Sequence, residues 1–197
     1  MDLSHALPAA LSFDDAATSA LRFFSATPEL CRVLSSGAAS LPNKPPNSMH
    51  RYGKFLLPDM EKEVLGLVRS CLSPEDAAKV YHVHAFHIQY AMGDGPAPRM
   101  TKLAMHCDSS DFTINLCCSD TSFTGSDLVF SGFAGTDGAE RVLPKEFRYE
   151  HRPFRGVVHR GALQHWVEEL TSGSRESVIV WVRCGEPPAC ECGHSHN

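Results

Sequence analysis

His106, Cys107 and Asp108 form the most informative short segment of the sequence. At the end of an extended strand, residues i and i+2 project to the same face, so an imidazole and a carboxylate converge while Cys107 points away. Two such groups leave a metal ion underbound, and a third donor must return from a distant strand. The stretch 159–175 offers one: it carries His159 and His165, then Ser172-Gly173-Ser174, then Arg175. The spacing has His165 closing one strand and Arg175 opening the next, ten residues on, so that a strand pair brings a donor and a guanidinium to one pocket. Two imidazoles and a carboxylate on one side of a metal leave positions open, an arrangement suited to non-haem Fe(II). A guanidinium suits a bidentate grip on a carboxylate in a low-dielectric cavity. A molecule that chelates iron at one end and carries a carboxylate at the other, such as 2-oxoglutarate, meets both demands. His159 is the rival third donor, and the ten-residue spacing to Arg175 favours His165, with His159 packed beside the site.

These residues need strands to position them. Tyr81–Tyr90 alternates and is rich in aromatic and β-branched side chains. Further strand candidates are 101–107, 111–118, 127–132, 154–160 and 175–183, separated by Gly-, Pro- and Ser-rich turns. Residues 1–80 read as helical. Ser12 is the expected N-cap of a first helix, and a second runs from Pro28 to about Leu34 and stops near Gly37. A third, Asp59 to Cys71, places Met60, Val64, Leu67, Val68 and Cys71 on one face. Ser73-Pro74 opens a fourth. Helices followed by many short strands, without βαβ alternation, predict a mainly β (α+β) fold, a jelly roll buttressed by helices. The expected organisation is a helical region over 1–80 packing on a core at 81–184. A tail at 185–197 follows, whose Cys190, Cys192, His194 and His196 read as a frayed terminus.

With 197 residues, 43% hydrophobic and 21% charged, the chain fits one globular domain with accessories. Eighteen basic against twenty-three acidic residues give a net charge of −5 without a Lys/Arg stripe, so no nucleic-acid partner is expected. No apolar run approaches the ~20 residues of a membrane span. Met1-Asp2-Leu3-Ser4-His5 lacks the basic segment and apolar core of a secretory signal, so a cytoplasmic or nuclear location is expected, with the eight Cys reduced. Cys117 and Cys118 read as small hydrophobes, and His82, His84 and His87 as surface or core histidines. Trp166 and Trp181 read as core or pocket wall.

The segment His106-Cys107-Asp108-Ser109-Ser110-Asp111-Phe112-Thr113-Ile114-Asn115 resembles the His-x-Asp-x-Ser-x-Phe-Thr-Ile-Asn segment of procollagen lysyl hydroxylases. The downstream His159-Arg160-Gly161 and His165, then Ser172-Gly173 and Arg175, are similar to small prolyl/lysyl-hydroxylase-like oxygenases of plants and microbes. The resemblance covers residues 80–184. It implies an Fe(II)- and 2-oxoglutarate-dependent dioxygenase on a double-stranded β-helix, with O2 consumed, succinate and CO2 released, and ascorbate as reductant. It implies His106, Asp108 and His165 as iron ligands, Arg175 as partner of the 2-oxoglutarate C5 carboxylate, and Asn115 and Tyr90 as further cosubstrate contacts. The implied reaction is hydroxylation of an unactivated C–H bond, with a protein prolyl or lysyl side chain, or a small molecule, as substrate.

Two departures stand out. Phe123-Thr124-Gly125-Ser126-Asp127-Leu128 resembles a Phe-x-Gly-Gly-x-Leu segment with Ser126 in place of the second Gly, and the link from Tyr90 to His106 is lengthened around Pro96 and Pro98. Asp108 argues against the related halogenases, which lack that carboxylate. A nucleic-acid demethylase-type oxygenase is one alternative, for which a second Arg is expected where this chain has Trp181. A catalytically silent metal-binding or interaction protein on the same fold is the other, and the retained His106, Asp108, His165 and Arg175 speak against it. Oligomeric state leaves no mark in the sequence.

Overall fold

Period-two side-chain alternation lets a strand such as Val80–Ala91 bury one set of residues against helices and the other against a second sheet. A computed structural model of the chain describes residues 11–13, 21–39, 47–48, 50–51, 54–55, 58–92, 100–131 and 146–185. Its main sheet has seven antiparallel strands in the order Leu11–Phe13, Leu21–Ala26, Arg155–Arg160, Phe112–Cys117, Ser174–Cys184, Val80–Ala91 and Asn47–Ser48. A four-stranded sheet, ordered Glu146–Tyr149, Leu128–Ser131, His165–Val167 and Leu103–His106, packs against one face. Between the sheets lie Ile88, Tyr90, Val157, Ile179, Leu128, Phe130 and Val167. On the other face Val83, Ala85, Ile114, Leu116, Val178 and Val180 meet Leu30, Leu34, Val64 and Val68 from helices Pro28–Ala39 and Pro58–Cys71. This is the expected jelly roll with a helical layer behind it.

The helical expectation for residues 1–80 holds for those two helices and for Pro74–Ala78, which Ser73 caps by accepting the Asp76 N–H at 3.0 Å. It fails elsewhere. Ser12 is no N-cap: it lies in Leu11–Phe13, paired with Ser25, and Leu21–Ala26 is a strand of the main sheet. Leu21 and Phe23 face the inter-sheet core while Phe24 and Ala26 face the helices, and residues 21–25 pair with 155–159. Burial on both faces and a complete ladder outweigh the local helix preference of the Ala-rich text. The second helix does not stop near Gly37 but passes through it to Ala39, and the missing side chain at Gly37 leaves room for the Met60 side chain of the neighbouring helix. Glu146–Tyr149 was not anticipated, although Phe147 and Tyr149 alternate with Glu146 and Arg148. His165 opens rather than closes its strand. Pro96 and Pro98, and Cys190, Cys192, His194 and His196, lie outside the described residues.

Gly156 faces Phe24 across the ladder, and a Cβ would enter the fully buried Phe24 ring. Gly156→Ala is therefore expected to cost about 1–3 kcal/mol by overpacking. Urea unfolding should show a lower midpoint at unchanged slope, and an unchanged midpoint would contradict the packing described.

Candidate functional site

The site starts from a register. His106 ends Leu103–His106 and is the cross-strand partner of His165, so both imidazoles project from neighbouring strands, their ring centroids 4.3 Å apart. Asp108 follows two residues on, anchored by its N–H to the Gly161 carbonyl at 2.9 Å. Its Oδ1 lies 3.4 Å from His106 Nε2 and its Oδ2 3.6 Å from His165 Nε2. The donor atoms of all three residues lie within 4.8 Å of one another.

The tautomers follow from the backbone. His106 Nδ1 donates to the Ala104 carbonyl and His165 Nδ1 to the Leu163 carbonyl, each at 2.8 Å. Both Nε2 atoms therefore present lone pairs toward the carboxylate. Burial holds the His165 pKa below its ordinary value. With each Nδ1 committed to a carbonyl, the two Nε2 atoms and the carboxylate converge on one point, and a cation there would be held by two nitrogens and an oxygen. Its nitrogen and oxygen donors suit Fe(II). Thr113 Oγ1 donates to Asp108 Oδ2 at 2.6 Å and fixes the carboxylate from behind. The His106 side chain is 33% exposed against 4% and 6% for Asp108 and His165, so the cluster opens to solvent on the His106 side.

His159 stands behind this group. It is buried, its Nδ1 donates to the Arg160 carbonyl at 2.9 Å, and its Nε2 is 3.9 Å from Asp108 Oδ2 without a hydrogen-bond partner. Burial and the neighbouring His165 push its pKa down to about 4. Its ring packs edge-on against Phe130 and His165, as expected of a residue beside the site.

A second polar cluster lies deeper between the sheets. Arg175 is the cross-strand partner of Tyr90, and its guanidinium lies 4.3 Å from the Tyr90 ring centroid. It is 1% exposed, yet no carboxylate pairs with it among the described residues. Nη1 donates to His151 Nε2 at 2.7 Å and approaches Ser177 Oγ at 3.3 Å, while Nε has no partner. Burial lowers the Arg175 pKa and raises that of the Tyr90 hydroxyl. Asn115 is buried with Oδ1 3.4 Å from His151 Nε2. Thr113 and Asn115 are successive inward residues of Phe112–Cys117, so the two clusters are tied to points about 7 Å apart along one strand.

All six residues singled out in the sequence therefore fall in these two clusters. Missed were Thr113, Ser177 and His151. His151 continues the alternation of Phe147 and Tyr149, a signal present in the sequence had the strand been recognised. Ser126 adopts the left-handed backbone (φ 63°) directly after Gly125 (φ 74°), so the turn keeps a conformation that favours glycine despite the substitution. Trp181 packs edge-on against Phe86 at 5.2 Å, at the margin of the core between the sheets.

No protein-family model matches the chain. The human 2-oxoglutarate and iron-dependent oxygenase domain-containing protein 2 is 28% identical over 155 residues, 74% of this chain and 42% of that protein. Arabidopsis thaliana ICU11, named in the same way, is 26% identical over 152 residues, 70% of this chain and 36% of its own length. Among solved structures, a Pseudomonas putida prolyl-4-hydroxylase superposes with a TM-score of 0.54 at 14% identity, covering 90% of this chain and 89% of its own. The chain is similar, in sequence and in fold, to 2-oxoglutarate- and iron-dependent oxygenases. A Burkholderia pseudomallei protein described as a 2OG-Fe(II) oxygenase agrees, with TM-score 0.52, 16% identity and coverage of 79% and 77%. The chain spans less than half the length of these two curated relatives. Similarity to such oxygenases implies Fe(II), 2-oxoglutarate and O2, and the donor set described above fits the metal.

Anaerobic titration is expected to show one Mn(II) or Fe(II) per chain. His106→Ala or Asp108→Ala should abolish this binding, and His159→Ala should keep most of it. Thr113→Val should weaken it by roughly ten- to hundredfold through the freed carboxylate. Full affinity in both ligand variants would contradict the assignment.

Proposed function

We propose that the chain is an Fe(II)- and 2-oxoglutarate-dependent dioxygenase that hydroxylates an unactivated C–H bond, releasing succinate and CO2. One observation carries the reading. A guanidinium on the main sheet lies buried without a carboxylate partner among the described residues, and the smaller sheet packed against that face carries His106 and His165 of the three convergent metal donors. Burying an uncompensated charge is costly, and such a site favours an anionic ligand. 2-Oxoglutarate has a chelating end for the metal and a distal carboxylate for the guanidinium.

In this reading His106 Nε2, the Asp108 carboxylate and His165 Nε2 hold Fe(II). Arg175 binds the C5 carboxylate through its remaining N–H groups, a charge-assisted pairing strengthened by exclusion of water. The Tyr90 hydroxyl and the Asn115 amide supply neutral hydrogen bonds that orient the chain of the cosubstrate. Thr113 holds the Asp108 carboxylate in place. Bound Fe(II), with 2-oxoglutarate and O2, supplies the oxidising power, one oxygen atom going to substrate and one to succinate; ascorbate serves as reductant. The substrate reaches the metal from the exposed His106 side. A protein prolyl or lysyl side chain is the proposed target, in keeping with the resemblance of residues 106–115 to lysyl hydroxylases. A cytoplasmic or nuclear setting belongs to the same reading, and the described Cys31, Cys71, Cys107, Cys117, Cys118 and Cys184 are free thiols.

Breaking a buried charge pair costs on the order of 2–5 kcal/mol. Arg175→Ala should therefore weaken 2-oxoglutarate binding by roughly thirtyfold or more, at about tenfold per 1.4 kcal/mol. Arg175→Lys should fall between, keeping the charge and losing the planar fork. Mn(II) affinity should not change. The reaction itself is tested by succinate formation from the Fe(II)-loaded protein with prolyl and lysyl peptide panels. Wild-type affinity in Arg175→Ala would overturn the pocket.

A further inference from the structure

His151 is buried beside the guanidinium, and nothing in the proposed chemistry yet uses it. We propose that His151 is a positioning residue, accepting one Arg175 N–H so that the rest of the guanidinium edge is aimed at the distal carboxylate of 2-oxoglutarate. The inference rests on the preceding reading of Arg175.

The polarity of the contact is fixed by its far side. His151 Nδ1 lies 3.0 Å from the Ser126 carbonyl, which only accepts, so the proton is on Nδ1 and Nε2 carries the lone pair. Nε2 then accepts from Arg175 Nη1 at 2.7 Å; the Asn115 amide, whose Oδ1 stands 3.4 Å from the same Nε2, makes no hydrogen bond to it in that orientation and pairs with it only when turned to present Nδ2. The Ser126 carbonyl is itself held, by the left-handed Ser126 backbone and by the Ser126 N–H donating to the Glu169 backbone carbonyl at 3.1 Å. Tyr149 closes on the ring edge-on at 5.2 Å. Burial and the Arg175 charge hold the imidazole pKa well below its ordinary value, so the ring is neutral.

Neutrality is what makes this residue type suitable. A carboxylate at position 151 would satisfy the same N–H and also cancel the charge, competing with the ligand. A neutral imidazole satisfies the hydrogen bond and leaves the positive charge for the ligand's carboxylate. Arg175 Nε stays without a partner, available to a planar acceptor.

The test is a double-mutant cycle on 2-oxoglutarate binding, measured by calorimetry on the Mn(II)-loaded protein. His151→Leu is expected to weaken binding about tenfold with Mn(II) affinity unchanged. His151→Gln, which keeps an acceptor, should recover to within about threefold of wild type. In an Arg175→Ala background, His151→Leu should cost less than twofold. A further tenfold loss in that background would assign His151 a merely structural role and overturn the proposal. No loss in the single variant would overturn it as well, while leaving the reading of Arg175 intact. Wild-type protein that fails to bind 2-oxoglutarate would overturn both. Imidazole ¹⁵N NMR of the wild-type protein supplies a readout that needs no variant to fold: His151 should be protonated at Nδ1 and bare at Nε2. A proton on Nε2 would exclude the acceptor role.

Discussion

The two-residue period of the main sheet's inner face is the constraint on which the site depends. Phe112–Cys117 sends Thr113 and Asn115 inward and Ile114 and Leu116 toward the helices. Thr113 grips Asp108, and Asn115 touches the His151 that grips Arg175. A one-residue slip of this strand would turn both polar side chains into the helix-side core and present Ile114 and Leu116 to the site. The ladder to Ser174–Cys184 prevents it: Asn115 faces Ile179 and Thr113 faces Trp181, and the ladder on the other side of Ser174–Cys184 places Arg175 opposite Tyr90. The packing of the helices thereby sets the alignment of the polar clusters on the opposite face.

Electrostatics gives this geometry its meaning. A sheet sandwich normally fills its interior with apolar side chains, and here Leu128, Phe130, Val157 and Ile179 do so. Within that layer sit a guanidinium without a carboxylate partner among the described residues and a carboxylate facing two imidazole nitrogens. Each is unfavourable alone, since a buried charge loses its hydration. The first is relieved by an anion and the second by a cation. One ligand coordinating a metal in the second cluster and reaching the first relieves both, which is the physical content of the proposed 2-oxoglutarate site.

Much of this was legible in the sequence, for a physical reason. His106 and Asp108 share a face through strand alternation alone, and Tyr90, Asn115 and Arg175 lie on strands with strong β-branched and aromatic patterns. The less legible parts depend on tertiary contacts. Leu21–Ala26 gains its strand character from the ladder to Arg155–His159, which no local preference announces. His151 follows a four-residue strand and contacts Arg175 from the opposite sheet, so spacing along the chain says little of it. The spacing to Arg175 already favours His165 over His159, and the structure adds the physical reason: both are buried, and only His165 is the cross-strand partner of His106.

The central claim is that one molecule of 2-oxoglutarate bridges the metal cluster and the Arg175 pocket. Anaerobic addition of 2-oxoglutarate to the Fe(II)-loaded protein tests it most directly, because chelation of Fe(II) by a 2-oxo acid produces a visible charge-transfer absorption. The account predicts a band that saturates at one 2-oxoglutarate per iron. An iron-loaded protein that stays colourless at saturating 2-oxoglutarate would contradict it.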